Sequence, residues 1–370
     1  MSDTIEIHPV DFHYKMQTQN PPLILDLQGE EEYKSWNMFN SVNIPFTTFI
    51  EIEDLPKQFH DREIVAVCGT GNKSKVAVEM LQDKGYNIRS LIGGQRNWNN
   101  SFDSVKFNID DTSTEIYQFR RMAKGCISYL IVNDGDAALI DPSIHTDVYL
   151  DKIDELGLNL KYILETHLQA DHISGARAIA DRTGARIMLS ANDPFQFEFN
   201  SIKNNETFQL GNQPIIRAIE TPGHTKGSMS FRIKDLGLLA GDTIFATSFG
   251  RPDLANKAEE FANDLYDTIH TKIRRLPRNM FIASSHIGKF VVEHFHQPIT
   301  TSVGQINNFE SIHYNRDHFI DYAVKAATDT PHPPSFSTIV KINQGIVDID
   351  KDEILNLEFG PNRCSLEDEQ

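Results

Sequence analysis

From residue 22 to 98 short apolar runs alternate with amphipathic stretches. Runs 23–25 and 64–67 are apolar, brief and bounded by polar residues, the pattern of strands buried on both faces. Over 74–84 the apolar positions Val76, Val78, Met80 and Leu81 predict a helix that closes on Gly85, a residue suited to the position after a helix end. A further strand is predicted over 88–92, stopped by Gly93 and Gly94. Strands alternating with helices predict a small α/β domain with a parallel sheet over 1–103. Around 101–114 the periodicity is lost and Asp, Ser and Thr accumulate, which places a linker at 104–114.

A second patterned region spans 115–325. Runs 128–132 and 137–140 flank the turn Asn133-Asp134-Gly135-Asp136 and read as paired strands. Helices are predicted over 149–157 and 172–183, and strands over 162–166, 185–189, 215–220, 228–233, 237–240 and 280–283. Many strands with interspersed helices predict a sandwich of two sheets with helices outside. Residues 326–370 carry Pro331, Pro333 and Pro334 and end acidic, so they are expected to wrap the surface and then fray.

A chain of 370 residues exceeds what one core supports, in keeping with two domains. The net charge of −17 argues against nucleic acid and against an anionic membrane surface, both of which select clustered Lys and Arg. No basic and apolar leader is visible, and no apolar run approaches the roughly 20 residues that span a bilayer. Three scattered cysteines, Cys68, Cys126 and Cys364, do not make a disulfide framework, so a reducing cytoplasm is expected. Cys126 precedes an apolar strand and reads as packing; Cys364, in the acidic tail, reads as incidental.

Cys68 ends the run 64–67 and is followed by Gly69, Thr70, Gly71, Asn72, Lys73 and Ser74 at a helix start. In such a turn successive backbone N–H groups and the helix N-terminus converge on the sulfur, the setting of a nucleophilic cysteine. A phosphate-binding loop is the competing reading, but no glycine directly precedes Lys73. The loop resembles the active-site loop of rhodanese-like sulfurtransferases. Its flanks agree: Leu25-Asp26 before Glu30 to Tyr33, then Val42-Asn43-Ile44-Pro45, then Gly93-Gly94 with Trp98. Gln28 and Asn37 depart from an Arg and a His common in that family. The resemblance implies that Cys68 carries sulfane sulfur as a persulfide, with Lys73 a candidate catalytic neighbour.

Four further clusters each follow a short apolar run: His167 with Asp171 and His172, then Gly223-His224, Gly241-Asp242 and Ser285-His286. Side chains leaving strand ends meet at one rim, and imidazoles with carboxylates gathered there are what a divalent metal requires. One such histidine alone would be an ordinary surface or core residue; four clusters in this order are not.

The order His167-X-X-X-Asp171-His172, His224, Asp242, His286 resembles the metallo-β-lactamase superfamily, which implies an αββα sandwich. Within it Gly125 to Leu130 and Gly250-Arg251-Pro252-Asp253 resemble the persulfide dioxygenases, and Pro333-Pro334-Ser335-Phe336 with Lys341-Ile342-Asn343 resembles members fused to rhodanese domains. That resemblance implies a mononuclear Fe(II) held by His167, His224 and Asp242, with zinc as the alternative. Asp171 and His172 become candidate catalytic side chains, His286 and Gln169 neighbours of the ligands or second-metal residues, and Arg251 either a substrate anchor or a structural turn residue. The implied reaction oxidises a small-molecule thiol persulfide with O2 to sulfite and thiol, with sulfite or thiosulfate exchanging sulfur at Cys68; a homo-oligomer, dimer or tetramer, is expected. Gln169 stands where the superfamily usually has His, which weighs against a dizinc thioester hydrolase of the glyoxalase II kind, the second reading. A sulfur carrier or sensor with a degenerate metal site is the third.

Overall fold

The computed structural model describes residues 5–107, 113–255, 257–287, 297–329, 332, 335–348, 350–360 and 362–366. In the first domain β1 (Glu6–Ile7), β2 (Leu23–Asp26), β3 (Ser41–Asn43), β4 (Ile64–Val67) and β5 (Ile88–Leu91) form one sheet in the order β1-β5-β4-β2-β3. All pairings in it are parallel. The central strand β4 is buried along its whole length, which is why it reads as an unbroken apolar run. Helix Asn72–Gln82 buries Ala77, Val78 and Leu81 and leaves Val76 and Met80 exposed.

The second domain begins with β6 (Phe102–Phe107), β7 (Thr114–Arg121), β8 (Ile127–Asn133), β9 (Asp136–Ile140), β10 (Asn159–Leu164), β11 (Arg186–Ser190) and β12 (Asn200–Ile202), paired in sequence order. A six-stranded sheet faces it, built in order from β13 (Thr207–Leu210), β14 (Gln213–Glu220), β15 (Met229–Ile233), β16 (Gly237–Gly241), β17 (Phe281–Ser284) and β18 (Thr301–Ser302). Ile131, Ile140 and Leu164 of one sheet pack on Phe208, Phe231 and Leu239 of the other. Helices Asp147–Glu155 and Ala176–Thr183 cover the outer face of the first sheet, with Tyr149, Ile153 and Ile179 against Leu139 and Ile163. Helices Ala258–Asp267 and Arg316–Asp329 cover the second, with Leu265 and Phe319 against Leu238 and Ile282. This is the αββα sandwich expected from the sequence.

Three expectations need correction. Residues 104–107, placed in the linker, complete β6, which pairs with β7 from Phe102↔Arg121 to Phe107↔Ile116. Asp103 misleads because it is a buried charge, paired with Arg120 and with His13. Of the expected linker, residues 108–112 lie outside the described residues. Helix 172–183 begins only at Ala176, so Asp171 and His172 sit on the loop before it. The last segment does not simply fray: Glu358, Cys364, Ser365 and Leu366 are buried. Pro331, Pro333, Pro334 and the final residues 367–370 lie outside the described residues. Among the described residues no helix is long and apolar enough to cross a membrane.

Candidate metal centre and cysteine loop

His167, His224 and Asp242 follow β10, β14 and β16, and one ligand atom from each lies within 4.8 Å of the others. Their side chains are buried, and Nε2 of His167 and of His224 stand 3.7 and 3.6 Å from Asp242 Oδ2. Among the described residues neither Nε2 atom has a hydrogen-bond partner, which would be costly in a buried site without something to bind.

The other ring nitrogens are fixed from behind. Thr166 spends its hydroxyl proton on Asp141 at 2.7 Å, so its oxygen accepts from Nδ1–H of His167 at 2.9 Å. His224 donates from Nδ1 to the Arg251 carbonyl at 2.8 Å. Each histidine therefore presents an Nε2 lone pair to the common point, as metal-binding histidines do. Burial holds His167 neutral, its pKa lowered to about 3, and lowers that of His224 as well. Burial would raise Asp242, but His286, with His167 and His224, holds it down to about 2. Two neutral imidazoles and one carboxylate fit a divalent transition metal.

Two buried carboxylates absent from the sequence reading tie these loops together. Asp141 accepts from Thr166 N–H at 2.7 Å and from Ser285 Oγ, joining the loops of His167 and His286. Asp193 accepts from Leu168 N–H (2.8 Å), Gly227 N–H (2.9 Å) and the Thr225 hydroxyl (3.1 Å), joining the loops of His167 and His224. Asp141 directly follows β9, the same strand-end placement that marks the ligands; Asp193 carries no comparable signal.

The structure brings Asp171, His172 and His286 together one step away, in a buried group completed by Cys126. Burial would raise the Cys126 thiol and lower His172, but their mutual attraction pulls the thiol down and the imidazole up. His286 lies between two carboxylates, its Nδ1 2.8 Å from Asp242 Oδ1 and its Nε2 3.0 Å from Asp171 Oδ1. Gln169 is buried and lines, with His167, Glu165 and Ser174, a cavity of about 20 Å3. Cys364, read as incidental, is buried beside Asp242 and His286.

Of the two readings of Arg251, the structure favours the structural one. It is 2% exposed, and its guanidinium forms a two-point pair with Asp253 (2.7 and 2.9 Å) while donating to the carbonyls of Ala327 and Arg363. Its surroundings make it a clamp between loops.

In the first domain Cys68 is 2% exposed at the end of β4, and Gly71 N–H points to its sulfur at 3.2 Å. Ser74 Oγ lies 3.7 Å from the same sulfur and donates to the Gly71 carbonyl. Gly69 and Thr70 form the turn, Asn72 opens the helix, and Lys73 is exposed on its first turn. Helix Gly94–Asn99 sits on this loop, Gln95 and Arg96 donating main-chain N–H groups to the carbonyls of Cys68 and Gly69. Behind it, burial pushes the Asp26 carboxyl up to about 6, against hydrogen bonds from Gln28 and Gln95.

The profile of the rhodanese-like domain matches residues 10–101, and that of the metallo-beta-lactamase superfamily matches residues 123–286. The chain is a fusion of these two domains. The metallo-β-lactamase domain is 29% identical over 171 residues to hydroxyacylglutathione hydrolase of Prochlorococcus marinus (strain MIT 9301), covering 45% of this chain and 66% of that protein. It is 33% identical over 174 residues to persulfide dioxygenase ETHE1, mitochondrial, of Bos taurus, covering 44% of this chain and 65% of that protein. The chain thus spans just under two thirds of these relatives' lengths. The crystal structure of ETHE1 from Myxococcus xanthus matches the fold with a TM-score of 0.55 at 26% identity, over 62% of this chain and 97% of that one.

Proposed function

We propose that the metallo-β-lactamase domain oxidises a low-molecular-weight thiol persulfide with O2, and that the rhodanese-like domain exchanges sulfane sulfur through Cys68. The observation that carries this reading is the ligand set: two imidazoles and one carboxylate converge, while the chain carries Gln169 at the sequence position where a hydrolytic first site usually has a third imidazole. Likeness to persulfide dioxygenase ETHE1 supports it, as does fusion to a sulfur-handling loop.

His167, His224 and Asp242 would hold Fe(II), and the bound ion would supply the redox chemistry that O2 requires. Thr166 and the Arg251 carbonyl keep both rings oriented, and burial of the cluster keeps bulk water from the reacting sulfur. The overall change balances as persulfide, O2 and one water giving thiol, sulfite and two protons. The outer sulfur loses the electrons that O2 gains.

At Cys68 the transfer needs no oxidant. The cysteine sulfur attacks the outer sulfur of thiosulfate, the S–S bond of thiosulfate breaks, and sulfite leaves with its electron pair. The new terminal sulfur would lie in the turn lined by Gly71 N–H and Ser74. A thiol then takes that sulfur and regenerates Cys68.

A dinuclear hydrolase is the second reading, favoured by the group Cys126, Asp171, His172 and His286, which offers a second metal position. Protein prepared without oxygen separates the two. One iron per chain and O2 uptake on adding glutathione persulfide support the dioxygenase. Two zinc ions per chain, no uptake and hydrolysis of S-lactoylglutathione would replace it with the hydrolase.

A further inference from the structure

Residues 358–360 and 362–366 run from the rhodanese-like domain into the metal centre. At the outer end Phe359 packs edge-on against Trp36 with ring centres 4.7 Å apart. Asn99 of the helix that rests on the Cys68 loop donates to the Glu358 carbonyl at 3.2 Å and accepts from Gly360 N–H at 3.3 Å. Glu358 itself is fully buried in an ion pair with Arg121 and accepts from Ile173 N–H. Further in, Asn362 donates to the carbonyls of Lys124 (2.9 Å) and Ile287 (3.0 Å).

The inner end is fastened to one short stretch of the metallo-β-lactamase domain. Arg251 N–H donates to the Cys364 carbonyl at 3.0 Å, Ser365 bridges to Gly250, and Leu366 N–H donates to the Phe249 carbonyl at 2.8 Å. This is the stretch whose Arg251 carbonyl orients His224. Backbone on both sides of Cys364 is therefore fixed, and its Sγ lies with ligand atoms of Asp242 and His286, all three within 4.8 Å of one another.

A side chain that merely filled space here would set apolar surface against a buried carboxylate. A thiol is a small side chain with a weak S–H donor. Asp242 has lone pairs to spare, because a carboxylate offers about four acceptor sites and His286 brings a single Nδ1, shared between the two oxygens at 2.8 and 2.9 Å. We propose that Cys364 is a positioning residue for Asp242: its thiol donates to the carboxylate and, with His286, sets which oxygen faces His167 and His224. The inference rests on the reading of Asp242 as a metal ligand. It makes the segment that docks the two domains together part of the metal site's support, as hydrogen-bond partners behind a ligand tune its metal.

Cobalt(II) titrated into the metal-free full chain tests it, followed by the visible spectrum of the bound ion and by competition with a chelator. Cys364→Ala is expected to weaken binding roughly 10- to 100-fold, the usual effect of losing a group behind a ligand, and to shift the cobalt bands. Cys364→Ser keeps a donor and is expected to recover the wild-type spectrum and most of the affinity. Equal binding by wild type and Cys364→Ala, or an equal loss in the Ser and Ala variants, overturns the proposal. Should Cys364→Ala fail to fold, Cys364→Val fills the thiol's place without a donor and is read in the same way. If the wild type takes up no cobalt at all, it is the reading of Asp242 as a ligand that falls.

Discussion

Nδ1 of His224 donates to the main-chain carbonyl of Arg251 at 2.8 Å, so a backbone group rather than a side chain orients this imidazole. Its position depends on the buried guanidinium of the same residue, held by Asp253 and by the carbonyls of Ala327 and Arg363. Arg251→Lys cannot reproduce this fork, because one ammonium cannot make a two-point pair and also reach two carbonyls in other directions. Each lost hydrogen bond to a charged group costs roughly 1.5–3 kcal/mol. The variant is expected to melt several degrees lower and to bind metal more weakly, with thermal unfolding and metal titration as the measurements. Unchanged stability with a raised KM for persulfide would instead restore Arg251 as a substrate anchor.

Asp193 joins the two histidine loops without touching either histidine ring. In Asp193→Ala the N–H groups of Leu168 and Gly227 lose their acceptor in a buried place, at roughly 1–3 kcal/mol each. Urea unfolding should show a loss of roughly 2–6 kcal/mol by the same reckoning. Metal affinity should fall with it, since Leu168 and Thr225 adjoin His167 and His224. A loss of stability with metal affinity intact would show that the loops hold their registration without this carboxylate.

These two residues mark where sequence reading succeeds and where it stops. His167, His224, Asp242 and His286 are legible because each follows a short apolar run, and strand ends on one side of a sandwich necessarily meet. Cys68 is legible because the glycines after β4 imply a turn around its sulfur. Cys364 is not: its neighbours are polar, and its burial comes from contacts with Phe249, Gly250 and Arg251, more than a hundred residues earlier. Arg251 reads equally as a ligand-binding cation or a turn residue, because nothing in Gly250-Arg251-Pro252-Asp253 tells that the charge is buried against its own near neighbour. Asp103 fails in the same way. A charged residue whose partner lies on another strand looks like a loop residue until the strands are paired.

Asp26 gives the rhodanese-like domain a specific pH dependence. Burial raises its carboxyl from an ordinary 3.8 to about 6, so between these values the folded state binds more protons than the unfolded one. This contribution to stability is fully present below about pH 4 and is lost as pH rises through about 6, worth roughly 2–3 kcal/mol. In Asp26→Asn the retained oxygen still accepts from Gln28 N–H. The new amide donates to Gln95 Oε1, which has no partner among the described residues, once the Gln95 amide turns over. Denaturant unfolding at several pH values should show the variant gaining stability at pH 8 and losing the slope between pH 4 and 6. A parallel slope in both proteins would place the titrating group elsewhere.

Gly94 is where the fused halves can be separated experimentally. Its φ of +60° is strained for any residue with a side chain, and an added Cβ would lie 2.1 Å from the Cys68 carbonyl oxygen and 2.6 Å from the Gly71 nitrogen. Neither atom can yield alone, because both are backbone of the turn that surrounds the sulfur. Gly94→Ala must therefore push helix Gly94–Asn99 away from the loop, taking the Gln95 and Arg96 N–H groups off the carbonyls of Cys68 and Gly69, or open the loop itself and take Gly71 N–H off Cys68. Thiosulfate-to-thiol sulfur transfer is expected to fall at least tenfold, which corresponds to about 1.4 kcal/mol in the transition state. The metal ligands leave other strands of another sheet, so O2 uptake with glutathione persulfide should persist. If both activities fall together while the protein stays folded, the path from this helix through Asn99 to Glu358 and Cys364 carries more than docking, because Asn99 closes the same helix that Gly94 opens. Sulfur transfer at the wild-type rate would show that the turn around Cys68 tolerates displacement and that its N–H groups do not set the reactivity.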